Sequence, residues 1–420
     1  MKKVVSILMM IFVATTSYAA QNIEIVGGSG VALPKIAIVK FAGEPSLATS
    51  VSDIIASDLD ITGEFSVSLY SNPSDIENNT QYILKGSVVN QNTVRYVLSS
   101  ATPQANGKPN VLLAQEIAFD SSTASNANVL RKMIHTISND VYNKLTGTKG
   151  IFTSKIAYIT KNGRTFHIFV SDYDGYNQIE VLQVSTPLSS LSWSPNGRQV
   201  AYVSYISGKP VVYVQDLYAK MRYIVADFHG NNSSPVFTPD GNKLLVTLSK
   251  DGDNSHIFLV DNKKYTADSP AKKIVDFGSY IDTEASVAKD GTVFFSSDHD
   301  GGAQIFRTSL SGGTPTLVTA NLGNYNVTPR ISHNGTKLVF ISRNSGMLQA
   351  YIMDFMTLAS YPININTGMD LSPTFAPNDK LVLYSSDNSL YITNVNATKQ
   401  TKLSNVVADE IVDQAWSGNF

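Results

Sequence analysis

Two different spacings of apolar positions divide the chain. Between residues 35 and 145 the spacing is mixed. Residues 35–41, 82–89, 94–100 and 111–119 alternate or run apolar as strands do, whereas 49–59 reads as an amphipathic helix. A second helix is predicted over 124–144, where Val129, Met133, Ile137 and Val141 recur every four residues on one face. Residues 35–147 thus read as a compact α/β domain, and Gly147 to Gly150 as a helix stop and short linker.

From residue 150 the helical spacing ends and a repeat of about 44 residues begins. Its signature is a short strand running into a tight turn: Trp193-Ser194-Pro195-Asn196-Gly197, Phe237-Thr238-Pro239-Asp240-Gly241, Val287-Ala288-Lys289-Asp290-Gly291, Ile331-Ser332-His333-Asn334-Gly335 and Phe375-Ala376-Pro377-Asn378-Asp379. Proline presets φ, Ser or Thr bonds back to the backbone, and Asn/Asp-Gly supplies the conformations that a hairpin needs. Asp379 stands in the glycine slot, which Asp tolerates better than most residues. Apolar second strands (200–204, 244–248, 293–297, 338–342, 381–385), third strands and a more polar fourth segment follow each turn.

The ends of this region complement one another. Residues 156–159 and 167–170 read as second and third strands with no first strand before them, and 413–417 as a first strand with nothing after it. Joined, they make a sixth unit. Residues 150–420 are therefore expected to form a six-bladed β-propeller of four-stranded blades, its ring closed by the C-terminal strand, which removes exposed sheet edges. A β-sandwich or open solenoid does not account for the lone final strand.

The N-terminus combines Lys2 and Lys3, an apolar run over 4–13 and the small-x-small site Ser17-Tyr18-Ala19, so residues 1–19 read as an export signal instead of a buried first element. Residues 20–34 are a short, glycine-flanked segment expected to be mobile. The expected location is the periplasm, with membrane association only through partners. With 32 Lys+Arg against 34 Asp+Glu, the chain lacks the basic field that nucleic-acid binding needs. It has no cysteine, which excludes disulfides, thiol catalysis and a lipid-bearing cysteine, and leaves stability to packing. Its 20 Tyr and 18 Phe suit sheet packing.

A search for chemistry returns little. There is no nucleophile elbow, phosphate loop or dinucleotide fingerprint, and the six histidines are scattered and read mostly as surface residues, so neither metal nor cofactor is expected. The acidic clusters at 172–175, 251–253 and 298–301 read as hairpin chemistry instead of calcium loops, which need a bidentate glutamate. Glu284, Asp370 and Asp413 lie near the starts of first strands, and their convergence would make a propeller glycosidase the alternative reading. Otherwise a rigid ring presents loops, and the loops that precede the first strands (231–234, 281–284, 326–328, 369–372) share one mouth suited to recognition. The expected class is a binding protein, monomeric and not an enzyme.

Three stretches carry a family resemblance: Lys144-Leu145-Thr146-Gly147 with Lys149-Gly150, then Ile156-Ala157-Tyr158, then Val170-Ser171-Asp172-Tyr173-Asp174-Gly175-Tyr176-Asn177-Gln178. With the order of signal, α/β domain and six repeats, the chain resembles the TolB family of the Tol-Pal system. The resemblance implies an adaptor that binds the lipoprotein Pal at the propeller mouth and TolA through its N-terminal segment, supporting outer-membrane integrity and cell division. It places Pal contacts at Asn231, Ser234, Thr283 and Glu284, to which the mouth positions Thr328 and Asp370 are added, and TolA contacts at Ile23, Glu24, Ile25 and Val26.

Overall fold

The structure is a computed structural model and describes residues 32–90, 93–118, 127–252, 254–344, 346–363 and 368–418. The export signal and the segment with Ile23 to Val26 lie outside the described residues.

Strand Lys35–Val39 is central in a five-stranded sheet, paired in parallel with Ser66–Tyr70 on one side and Tyr82–Asn90 on the other. Thr93–Ser100 and Asn110–Ala118 extend it antiparallel. The sequence pattern did not point to Ser66–Tyr70, an edge strand with no buried residue and hence no apolar signal. Helix Pro45–Ile61 starts where the Glu44 carboxylate accepts the Ser46 hydroxyl and the N–H groups of Leu47 and Ser46, bonds that hold Glu44 below its usual pKa. Its buried stripe of Val51, Ile55 and Leu59, with Met133, Ile134, Ile137 and Val141 of helix Ala127–Thr146, shares one core with Ile36, Ile38, Leu84 and Leu98.

Six four-stranded antiparallel sheets follow, the blades of a β-propeller. In chain order, the first blade is built on Lys155–Asn162, and the second to sixth begin at Leu188–Trp193, Asn232–Phe237, Asp282–Val287, Asn326–Ile331 and Asp370–Phe375. Strand Glu410–Trp416 completes the first blade: Trp416 pairs with Ile156, Ala415 with Ala157 and Gln414 with Tyr158. Trp416 Nε1 donates to Ser154 Oγ at 2.8 Å and Lys155 N to Ser417 Oγ at 2.9 Å. The C-terminal strand thus closes the ring, as the pattern predicts.

The turns follow the expected chemistry. Ser194 Oγ accepts Gln199 N, Asn196 Oδ1 accepts Arg198 N, and Ser332 and Asn334 repeat both bonds. Asp379 is left-handed at φ 58°, and its carboxylate also accepts the N–H groups of His333 and Asn334 from the neighbouring blade. Five blades carry an aromatic pair between second and third strands: Tyr158–Phe169, Tyr202–Tyr213, Phe295–Phe306, Phe340–Tyr351 and Tyr384–Tyr391. Directly opposed aromatics of this kind set blade register as well as burying area.

Candidate functional site

Each first strand contains a β-bulge near its start, where the pairing register shifts against the second strand. In five blades the bulge holds a non-glycine residue in the left-handed region: Ser190 (φ 59°), Ser234 (48°), Glu284 (55°), Thr328 (56°) and Ser372 (48°). Such a conformation costs energy and persists only where the surroundings impose it. All five, with Asp413 of the closing strand, line one cavity of about 310 Å³ on the propeller axis. The bulges therefore turn one side chain per blade into the channel, five of them short hydroxyl or carboxylate groups and the sixth Glu284.

Polar bonds fix this ring. Glu284 Oε2 accepts the N–H of Thr328 at 2.9 Å, its hydroxyl at 3.2 Å and that of Ser296 at 3.1 Å. Asp413 accepts Leu191 N at 2.7 Å; burial pushes its carboxyl pKa up despite that bond and the nearby charge of Arg330, which also lines the cavity.

Of the residues expected at the mouth, Ser234, Glu284 and Thr328 come together in the channel. Asn231 and Thr283 are half-buried and do not line it: Asn231 donates to Ser249 and Ser233, and Thr283 accepts a long bond from Thr247. Thr283 and Glu284 belong to strand Asp282–Val287 and not to a loop. Asp370 is fully buried, with its carboxylate accepting Ala350 N at 3.0 Å. Glu284, Asp370 and Asp413 therefore do not converge as a glycosidase set: one is turned into the blade, and a second is bound to backbone. The fold explains this. Asp370 opens its strand, as Asn232, Asp282 and Asn326 do, and at that position the side chain serves the blade, not the channel.

A second feature escaped the sequence reading. Around the mouth stand Tyr205 and Ile206, Tyr280 and Ile281, Met347, Met369 and Leu371, all among the exposed large apolar residues. They occupy the segments before first strands, the start of a first strand (Leu371) and the connections from second to third strands, so they share the end of the disc at which the bulges open. Isolated exposed apolar residues are common, but a rim of them around a polar channel is a feature of interaction surfaces.

Two histidines expected at the surface are buried. His256 Nδ1 lies 2.9 Å from Asp282, and His135 Nδ1 lies 2.8 Å from Asp58. Among the described residues, the group of donors close enough to hold a metal ion is Asp58, His135 and Asp174, away from the channel.

Comparison with known proteins decides the family. Residues 142–419 match the TolB beta propeller domain, and residues 21–82 match the TolB amino-terminal domain. The chain belongs to the TolB family. It is 31% identical over 274 residues to the Tol-Pal system protein TolB of Francisella tularensis subsp. mediasiatica (strain FSC147), covering 63% of this chain and 62% of that relative. To the Tol-Pal system protein TolB of Bordetella pertussis (strain Tohama I) it is 33% identical over 310 residues, 69% of this chain and 66% of the relative. The crystal structure of TolB from Acinetobacter baumannii superposes with a TM-score of 0.79 at 28% identity, over 92% of this chain and 97% of that one. These relatives are named as proteins of the Tol-Pal system, and the chain spans less than two thirds of the length of the Francisella one.

Proposed function

We propose that this chain is a periplasmic protein-binding adaptor of the Tol-Pal system. In this reading residues 20–34 form an N-terminal partner-binding segment, 35–147 an α/β domain and 150–420 the propeller. A monomer docks the lipoprotein Pal at the channel mouth and engages TolA through Ile23, Glu24, Ile25 and Val26, supporting outer-membrane integrity and division.

One observation carries the reading: a rigid ring of bulge side chains, Ser234, Glu284 and Thr328 among them, opens between apolar rim residues from four blades. A polar, pre-organised centre within an apolar surround suits a protein surface better than a small solute, because apolar contacts exclude water from the polar ones.

The rim offers the cleaner test, since Met369 and Leu371 are exposed whereas Glu284 is bonded within the fold. Calorimetric titration of residues 20–420 with the soluble part of Pal should show saturable binding. Replacing Met369 and Leu371 by Glu should weaken it at least about tenfold, about 1.4 kcal/mol, with no loss of thermal stability. Absence of binding by the native chain, or full affinity in the double variant, would overturn the assignment.

A further inference from the structure

The contact between the α/β unit and the propeller holds a buried charge cluster that docking at the mouth does not use. Asp58, near the end of helix Pro45–Ile61, is 1% exposed. Its Oδ1 accepts the Tyr173 hydroxyl at 2.5 Å and its Oδ2 lies 2.8 Å from His135 Nδ1. His135, on the second helix and also 1% exposed, turns Nε2 toward Asp174 Oδ2 at 3.6 Å, where that nitrogen has no hydrogen-bond partner. Asp174 is ion-paired with Arg131, one turn before His135, and the Arg131 guanidinium lies 3.7 Å from the Tyr176 ring centroid. The turn over residues 171–178, which reads as a plain hairpin in the sequence, thus inserts Tyr173 and Asp174 of the first blade between the two helices.

The charges that face His135 can be counted element by element. The first helix supplies Asp58, its own helix Arg131, and the blade turn Asp174 with the neutral Tyr173. Two carboxylates against one guanidinium leave a buried negative charge when the imidazole is neutral, and a balanced cluster when it is protonated. A divalent ion on the same donors would sit against the Arg131 guanidinium, so the cation that fits is a proton. Other polar ties join the units away from these four residues: Lys399 to Asp60 and Asn394 to the Thr62 carbonyl at the sixth blade, and Asn139 of the second helix to the Thr153 hydroxyl and Phe152 N–H just before the first blade.

We propose that Asp58, His135, Asp174 and Arg131 form a proton-operated clasp between the α/β unit and the propeller, closed while His135 carries a proton and loosened when it is lost, with the sixth-blade contact as the hinge. Burial opposes the proton, but Asp58 and then Asp174 outweigh burial and Arg131, so the His135 pKa is raised above the ordinary imidazole value. A group raised in the folded state contributes fully below its unfolded pKa of about 6.5, and that contribution is lost as pH rises through the folded value.

The cysteine-free chain allows spin labels at Asn79→Cys and Lys289→Cys, both exposed, one in each unit. Pulsed dipolar spectroscopy should give a narrow label-to-label distance distribution at pH 6 and a broader or displaced one at pH 9. His135→Gln should give one distribution at both pH values. NMR titration of the unsubstituted chain provides a reading independent of variant folding: the His135 imidazole should titrate above pH 6.5. A distribution that does not change with pH in the otherwise native chain, a His135 pKa at or below 6.5, or a response to chelator in place of pH would each overturn the clasp.

Discussion

The Glu284 carboxylate accepts the backbone N–H of Thr328 at 2.9 Å, joining the bulge of the fourth blade to that of the fifth. Both residues are left-handed and both line the channel, so the bond holds two strained positions in register. Glu284 is thus structural as well as accessible. Glu284→Ala removes the acceptor of the Thr328 and Ser296 hydroxyls, while Thr328 N keeps Ser296 Oγ at 3.2 Å, and leaving such donors unsatisfied costs about 1–3 kcal/mol. Glu284→Gln keeps one carbonyl acceptor and should lose less. Urea denaturation of both variants checks this; equal stability of native and Ala chains would make Glu284 a surface contact only.

Ring closure depends on a residue at the far end of the chain. Trp416 is buried, packs in the core that the first blade shares with the α/β unit, and bonds to Ser154. Trp416→Ala should destabilise the chain by about 3–5 kcal/mol through lost burial and a cavity. Chain ending before Glu410 should aggregate, because Lys155–Asn162 would become an open edge. Denaturation and light scattering, respectively, measure the two effects.

The architecture was legible because its signals are local and repeated. Each hairpin turn declares itself through Pro, Asn/Asp and Gly, and the unmatched strands at 156–159 and 413–417 require one another. The channel lining was only half legible, since a bulge is a matter of register between strands: nothing in Asn231-Asn232-Ser233-Ser234 marks Ser234 as the residue turned inward and Asn232 as the one fully buried. His135 and His256 looked like surface residues because their carboxylate partners, Asp58 and Asp282, lie 77 and 26 positions away. The residues at 172–175 declare a turn, but the partner of Asp174, Arg131, lies on a helix that pattern alone does not place against it.

The N-terminal segment offers a test of the TolA assignment separate from the mouth. Ile23, Ile25 and Val26 with Glu24 make a short amphipathic stretch able to add to a partner's sheet edge. A chain lacking residues 20–30 should lose TolA binding in a pull-down while keeping Pal affinity within about twofold, a difference of about 0.4 kcal/mol. Unchanged TolA binding would remove this segment from the interface.

Asp282 makes a pH prediction whose sign follows from its burial. The residue is 0% exposed, paired with His256 through Oδ2, while Oδ1 has no partner. Burial raises its carboxyl pKa, with His256 and the nearby Ser297 hydroxyl only partly offsetting it. A raised folded pKa means that the native chain is favoured with the group protonated, and that this contribution is lost as pH climbs from about 3.9, the unfolded value, through the folded one. The third and fifth blades place Asn232 and Asn326 at the same strand position, both fully buried, so an amide fits there. Asp282→Asn should therefore fold normally, and its advantage in melting temperature over the native chain should grow between pH 4 and pH 7 as the native carboxyl ionises. Should the advantage shrink with rising pH instead, the Asp282–His256 pair would be a net stabilising ion pair, and the desolvation account of this buried carboxylate would fail.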